Sequence, residues 1–272
     1  MESKQQIGRQ YRINTLFLLT RLGYATTRQI AAGVFGKCDV SSRKMAGRTV
    51  RALLDRGYLV AKREGDTVAG EQMVALTRAG ATAIAKAAPL PASRGHARDW
   101  LRHAHEHRTV CNSVFAAMLG GLDWHLGWTE LEIRAGLAPP ELSLFQYRDG
   151  DGHCLQKIPD LLLDGPEELD GQVRRPTWIE VENAYRGARD FTKLVWFLRR
   201  IFGRPAPPIE MVWLVVTSPA AKNIGKRLHA AMTHSLSSGY PCQIKELDAR
   251  ILANHIKVKQ LDPDQLTLSS LP

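Results

Sequence analysis

Three carboxylates, Asp160, Glu180 and Glu182, are the residues of this sequence best placed to do chemistry together. Asp160 lies in KIPDLLLDG and the two glutamates in PTWIEVENAYRGARDFTKLVWFL, within the span 157–198. Carboxylates are seldom buried unless they are paired or bind a cation. Three of them brought together offer oxygen ligands to a hard divalent ion, Mg²⁺ or Mn²⁺. Such an ion lowers the pKa of a bound water and stabilises a departing oxyanion, as phosphodiester cleavage requires. Lys193, farther along the same span, could neutralise the site or steady a developing phosphate charge.

Two strands and a helix must position these groups. Ile158, Leu161, Leu162 and Leu163 form one short apolar run, and Trp178, Ile179 and Val181 form another. Runs of this length, bounded by Pro and Gly, predict strands buried on both faces. Glu180 and Glu182 then share one strand face while Val181 takes the other. An amphipathic helix carrying Lys193 follows. The same residues also fit a plainer arrangement, solvated acids on an edge-strand pair of an ordinary α/β domain.

Pro159-Asp160 followed by Glu180-Val181-Glu182 resembles the PD-(D/E)xK nuclease fold of restriction-endonuclease-like proteins. In that fold an Asp after Pro ends one strand and an acid-x-Lys or acid-x-acid pair lies on the next. The departure is Glu182, which stands where the usual lysine is. Some members tolerate an acid there, and in others the lysine comes from the following helix, the position of Lys193. The resemblance implies catalytic roles for Asp160, Glu180, Glu182 and Lys193. It implies a metal held by Asp160 and Glu180, with Glu130 or Glu132 as further ligands.

The chain has 272 residues, enough for two domains. No apolar run approaches the ~20 residues that span a bilayer, and the run 211–216 is strand-sized. The N-terminal MESKQQIGRQY has no apolar signal core, so a cytoplasmic location is expected. Cys38, Cys111, Cys154 and Cys242 are scattered with no CxxC pair, which favours reduced thiols over a disulfide frame or a zinc ribbon. The formal net charge is +10, and its placement is informative. Residues 1–65 hold 13 Lys/Arg against 4 Asp/Glu, leaving 24 against 23 for the rest. A basic first quarter on a near-neutral remainder is the electrostatic footprint of a nucleic-acid-binding module.

That first quarter predicts three helices and a β-hairpin. Ile13, Leu16, Phe17 and Leu19 give the apolar side of a helix ending near Gly23. Thr26 or Thr27 caps a second that stops at Gly36, and Ser41 and Ser42 cap a third running to about Arg56. In the third, Met45, Thr49, Val50, Leu53 and Leu54 face inward while Lys44, Arg48 and Arg51 line an outward face. Residues 58–60 and 73–76 flank a turn at Gly65-Asp66. Three helices and a hairpin over residues 8–88 resemble a winged helix-turn-helix, with TTRQIA, RTVRALLDRGYL and VALTRAG as its phrases. The resemblance implies that Ser42, Arg43, Lys44, Gly47, Arg48 and Arg51 enter the major groove of double-stranded DNA. It puts Lys62 and Arg63 on the wing, near phosphate or the minor groove. A solvated basic face in a protein–protein module is the alternative.

Pro89, Pro91, Ser93 and Gly95 mark a linker at 89–97. A helix is expected from about Asp99 to Leu119. On it His103 and His107 are i, i+4 neighbours and His105 points elsewhere, so zinc lacks a third ligand; Glu106 is an additional candidate acid. WTELEIRA, 128–135, reads as a strand with Glu130 and Glu132 on one face. A polar loop, the two acid-bearing strands and their helix follow. Residues 209–217 predict a further strand, 220–236 a helix exposing Lys226 and Arg227, and Gln243–Leu247 a last strand, with a weakly structured tail at 261–272. The fold class is therefore α/β (α+β), with a winged helix-turn-helix followed over 98–260 by a restriction-endonuclease-like mixed-sheet domain.

The whole order, winged helix, linker, His-bearing helix, then PD…ExE…Lys, resembles the replication-relaxation family of mobile elements. That resemblance implies a role in plasmid replication, DNA relaxation or mobilisation, with homodimers, relaxosome or replication proteins as partners and no membrane. Three functions remain open on these residues. One is metal-dependent nicking of DNA. Another is a non-catalytic DNA-binding accessory factor or regulator built on a silent nuclease-like domain. The last is a ligand-responsive repressor. No P-loop, HUH triad or GxSxG elbow is present, which disfavours an ATPase, an HUH relaxase or a serine hydrolase.

Overall fold

Side-chain caps set the helix starts at the N-terminus. The computed structural model describes residues 3–62, 71–87, 98–119, 127–164, 175–217, 223–237 and 239–271. Ser3 opens α1 (Lys4–Leu22) with a capping box, its hydroxyl accepting the Gln6 N–H while the Gln6 side chain accepts that of Ser3. Strand β1 (Ala25–Thr26) leads into α2 (Thr27–Phe35), where Thr26 and Gln29 make the same reciprocal pair. Helix α3 (Val40–Asp55) starts earlier than Ser41 or Ser42. Its cap is Asp39, whose carboxylate accepts the Ser42 N–H at 2.7 Å and pairs with Lys37 at 2.8 Å. Lys37, with the Ser42 N–H, holds the Asp39 pKa down at about 2, so a negative charge sits at the positive end of the helix dipole.

Strands β2 (Leu59–Lys62) and β3 (Met73–Leu76) pair antiparallel, and β1 joins β3 on its other side. The three helices and hairpin expected here are present; the turn at Gly65-Asp66 lies outside the described residues. Helix α4 (Arg78–Ala87) completes this part.

Residues 1–137 with 262–268 form one compact unit, and 138–261 with 269–272 form a second. The division falls beyond the linker expected at 89–97, which lies outside the described residues. Helix α5 (Arg98–Arg102), α6 (Glu106–Leu119), β4 (Gly127–Trp128) and α7 (Glu130–Arg134) all belong to the first unit. Buried polar groups explain why. Gln29 donates to the Thr109 carbonyl at 2.7 Å and to Ser113 at 2.9 Å. Asn112 donates to the Tyr24 carbonyl at 2.8 Å, and the Tyr24 hydroxyl lies 3.0 Å from that of Thr109. Such groups are costly to bury unsatisfied, so α6 is the complement of α1 and α2 rather than part of a separate domain. Trp100 of α5 packs over Gly23, where an added Cβ would fall 2.2 Å from its ring and φ is 78°. Only glycine fits there.

Two expectations in this unit are corrected. The helix at 99–119 is broken between Arg102 and Glu106, so His103 and His107 are not i, i+4 neighbours on one helix. His105 instead accepts the Arg108 N–H at 3.3 Å with its Nδ1, and burial lowers its pKa. The strand expected over 128–135 stops at Trp128, because Thr129 and Glu132 form a capping box that starts α7. Local capping overrides a pattern of alternation that reads equally well as one helical turn.

In the second unit a short helix, α8 (Pro140–Ser143), precedes the hairpin of β5 (Phe145–Arg148) and β6 (Cys154–Lys157), where a loop was expected. Strand β7 (Leu161–Leu163) pairs antiparallel with β8 (Thr177–Glu182), placing Leu161 opposite Ile179. Helix α9 (Ala188–Phe202) connects β8 to the parallel strand β9 (Met211–Val216). Helices α10 (Ile224–Ser237) and α11 (Cys242–Asn254) then lead to β10 (Ile256–Asp262), parallel to β9. Parallel neighbours need crossover connections, which these helices supply. Strand β11 (Thr267–Ser270) follows.

The strand expected at Gln243–Leu247 is thus the first turns of α11. Arg199 of α9 donates to Asp248 at 2.9 and 2.6 Å, and Ser235 of α10 shares that carboxylate. The tail expected to be weakly structured carries β10's end and β11. The chain is therefore mixed α/β, as its element pattern predicted. Among the described residues no helix is long and apolar enough to cross a membrane.

Candidate functional site

Helix α3 buries Ser42, Ala46, Val50 and Leu53 and turns its opposite face to solvent. Arg43, Lys44, Arg48 and Arg51 are exposed on it, and among the described residues none of them is held in an ion pair. Gly47 lies among them, and a Cβ there would meet nothing within 4 Å. This face is basic and open. Ser42, expected with the groove-entering residues, is only 3% exposed and faces the core. Lys62 is half-buried and directs its ammonium to the Arg102 carbonyl at 3.4 Å. Arg63 lies outside the described residues.

In the second unit Asp160, Glu180 and Glu182 gather where β7 meets β8. Asp160 precedes β7, and its Oδ2 accepts the Val181 N–H at 2.8 Å. Glu180 and Glu182 share one face of β8 and are 4% and 5% exposed, so the strand alternation holds. Lys157 donates to Glu180 Oε2 at 2.6 Å, and the Trp178 indole donates to Oε1 at 2.5 Å. Arg186, at the exit of β8, donates through Nε to Glu182 Oε2 at 3.2 Å and through Nη2 to Oε1. The same Nη2 stands 3.8 Å from Glu180.

Burial pushes the Glu180 carboxyl above its ordinary range. Lys157 and the Trp178 N–H oppose that rise, while Asp160 adds to it. For Arg186, burial works against the charge, but Glu182, Glu180 and Asp160 together raise its pKa. Three buried or half-buried acids are thus closed by two cations of the protein itself, which is how buried charge is made tolerable.

These donors decide how well the cluster suits Mg²⁺ or Mn²⁺. The residue types are right for a hard cation. The arrangement is not: both oxygens of Glu180 and both of Glu182 already accept protein donors. Among the described residues, Asp160, Glu180 and Glu182 do not bring one oxygen each within 4.8 Å of one another. As folded, the cluster does not fit a bound divalent ion.

Lys193 is not part of it. Its ammonium pairs with Asp190 one turn away at 3.0 Å, on the exposed side of α9. Glu130 and Glu132 belong to the first unit, where Arg108 and Arg134 hold Glu130 and Arg21 holds Glu132. The cations that do serve the acids, Lys157 and Arg186, went unread in the sequence. Both carried a usable signal, since Lys157 lies three residues before Asp160 and Arg186 four after Glu182.

Comparison with protein-family models, with curated proteins and with solved structures found no match.

Proposed function

We propose that this chain is a cytoplasmic DNA-binding protein of a plasmid or other mobile element, serving replication, relaxation or mobilisation as an accessory factor or regulator. The observation that carries the reading is the outward face of α3, with Arg43, Lys44, Arg48 and Arg51 exposed around an open Gly47. A basic helix presented in this way after a capped preceding helix suits the major groove of duplex DNA. The concentration of positive charge in residues 1–65 supports it. The mobile-element setting rests on the order of motifs along the sequence. The closed acid cluster favours a non-catalytic second unit.

The test is binding of a fluorescent 30-base-pair duplex by the full chain, over a salt series. Replacing Lys44, Arg48 and Arg51 together by Ala should weaken binding at every sequence and flatten the salt slope by roughly 0.9 for each phosphate no longer neutralised. Unchanged affinity and slope would remove α3 from the interface.

A second reading, metal-dependent nicking, is favoured by the presence of Asp160, Glu180 and Glu182 near one another where β7 meets β8. It requires Lys157 and Arg186 to give up their carboxylates.

A further inference from the structure

We propose that the second unit carries its own binding surface for single-stranded DNA, built on Trp196 and the arginines of α9 and α11. Arg189, Lys193, Trp196 and Arg200 fall at i, i+4, i+7 and i+11, so they form one stripe along α9. Arg189 and Arg200 are exposed, and Lys193 and Trp196 half-buried. The opposite side, from Phe191 to Phe202, is packed into the core. At ~1.5 Å per residue the stripe runs for about 16 Å.

Its C-terminal half opens into a groove of about 640 Å³, lined by Trp196, Arg199, Arg200, Gln243 and Arg250 among others. The Arg199 and Arg200 guanidiniums lie 5.2 and 5.6 Å from the centre of the Trp196 ring. The hairpin of β5 and β6 fixes both groups. Gly150 at its turn presses on the indole, where an added Cβ would come to 2.7 Å. Arg148 accepts the Arg200 Nε–H through its carbonyl at 3.0 Å, and the two Nη groups of Arg200 make no hydrogen bond among the described residues.

An indole in an open groove between guanidiniums is a platform for an unpaired base, with arginines placed for the flanking phosphates. In a duplex the base faces are already stacked and cannot use it. Arg199 is neutralised by Asp248, and Arg250 gives one N–H to the Phe202 carbonyl at 2.7 Å. Glu246 is the acid of the groove and accepts from the Cys242 thiol. Arg200 and Arg250 against Glu246 leave a net positive charge in the groove, which favours an anionic strand. The surface lies wholly in the second unit and does not depend on α3 holding duplex DNA.

The experiment uses fluorescein-labelled dT20 and anisotropy, with the full chain already carrying Lys44→Ala, Arg48→Ala and Arg51→Ala. That background should still bind dT20, and a 20-base-pair duplex should compete poorly. Trp196→Ala should weaken binding about ten-fold, as removal of one stacked base does. The exposed pair Arg200→Gln and Arg250→Gln should lower the salt slope by about 1.4, the equivalent of two single-strand phosphates. Circular dichroism and thermal midpoints check that each variant folds. No dT20 binding in the α3-substituted chain would overturn the proposal, as would folded Trp196 and arginine variants that bind like their parent. Equal competition by the duplex would also overturn it. An unchanged duplex affinity in the α3 variant would instead count against the reading of the first unit alone.

Discussion

Arg186→Gln tests the statement that the acid cluster is held together by the protein's own cations. The variant keeps a polar amide but is shorter than arginine and uncharged, and it leaves Glu182, 5% exposed, without its charged donor on either oxygen. Glu180 keeps Lys157 at 2.6 Å, so the loss concerns mainly Glu182. At an effective dielectric of about 20, two unit charges ~4 Å apart interact by about 4 kcal/mol. Breaking a buried pair from one side costs about 3–5 kcal/mol, because the orphaned charge stays desolvated. We expect a loss near 3 kcal/mol at pH 7, read from urea unfolding with the slope unchanged. If metal can replace the guanidinium, 10 mM Mg²⁺ should restore the stability of the variant and leave the wild type unmoved. A deficit below about 1 kcal/mol would refute the reasoning, since Glu182 would then be well solvated without Arg186.

Tyr24 gives a pH signature. Burial, the largest influence, raises its pKa to about 12 against the Thr109 hydroxyl and Arg108, which lower it. The folded state therefore keeps a proton that the unfolded chain begins to lose near pH 10, and stability should fall as pH rises between 10 and 12. Two pH units correspond to about 2.7 kcal/mol, so Tyr24→Phe should flatten the alkaline limb by roughly that amount in thermal unfolding. For plasmid DNA the folded cluster predicts no nicking of a supercoiled substrate that depends on Mg²⁺ or Mn²⁺ and vanishes with EDTA. Nicking of that kind, lost in Asp160→Ala, would favour the metal-dependent reading instead.

The elements easiest to read were those with one strong local signal. Thr26 and Gly36 bracket α2 in the sequence as they do in the fold, and the apolar runs around Leu161 and Ile179 are paired strands. Where two local patterns compete, the sequence is ambiguous. WTELEIRA alternates like a strand, yet Thr129 and Glu132 close a capping box. QIKEL alternates too, but Ile244, Leu247 and Ile251 continue the helical spacing and Asp248 is drawn to Arg199. That Glu180 and Glu182 share one face of β8 followed from strand alternation, and Asp160 comes near them through the pairing of β7 with β8. What neutralises them did not, because it depends on where a hairpin places Lys157 and on the path of the chain after Glu182. Lys193 was attractive by position along the sequence, and the rotation of α9 turns it the other way.

The chain leaves the first unit after Leu137, re-enters it at Asp262 and leaves it again after Leu268, and these crossings govern how the protein can be taken apart. A fragment stopped at residue 88 loses α6, and with it the carbonyl, hydroxyl and amide that serve Gln29 and Tyr24. A fragment stopped at 137 loses 263–264, where Arg28 finds the Pro263 and Asp264 carbonyls. No single cut separates the units cleanly. The natural dissection is a double splice, with 1–137 joined through a short flexible linker to 262–268, and 138–261 joined likewise to 269–272.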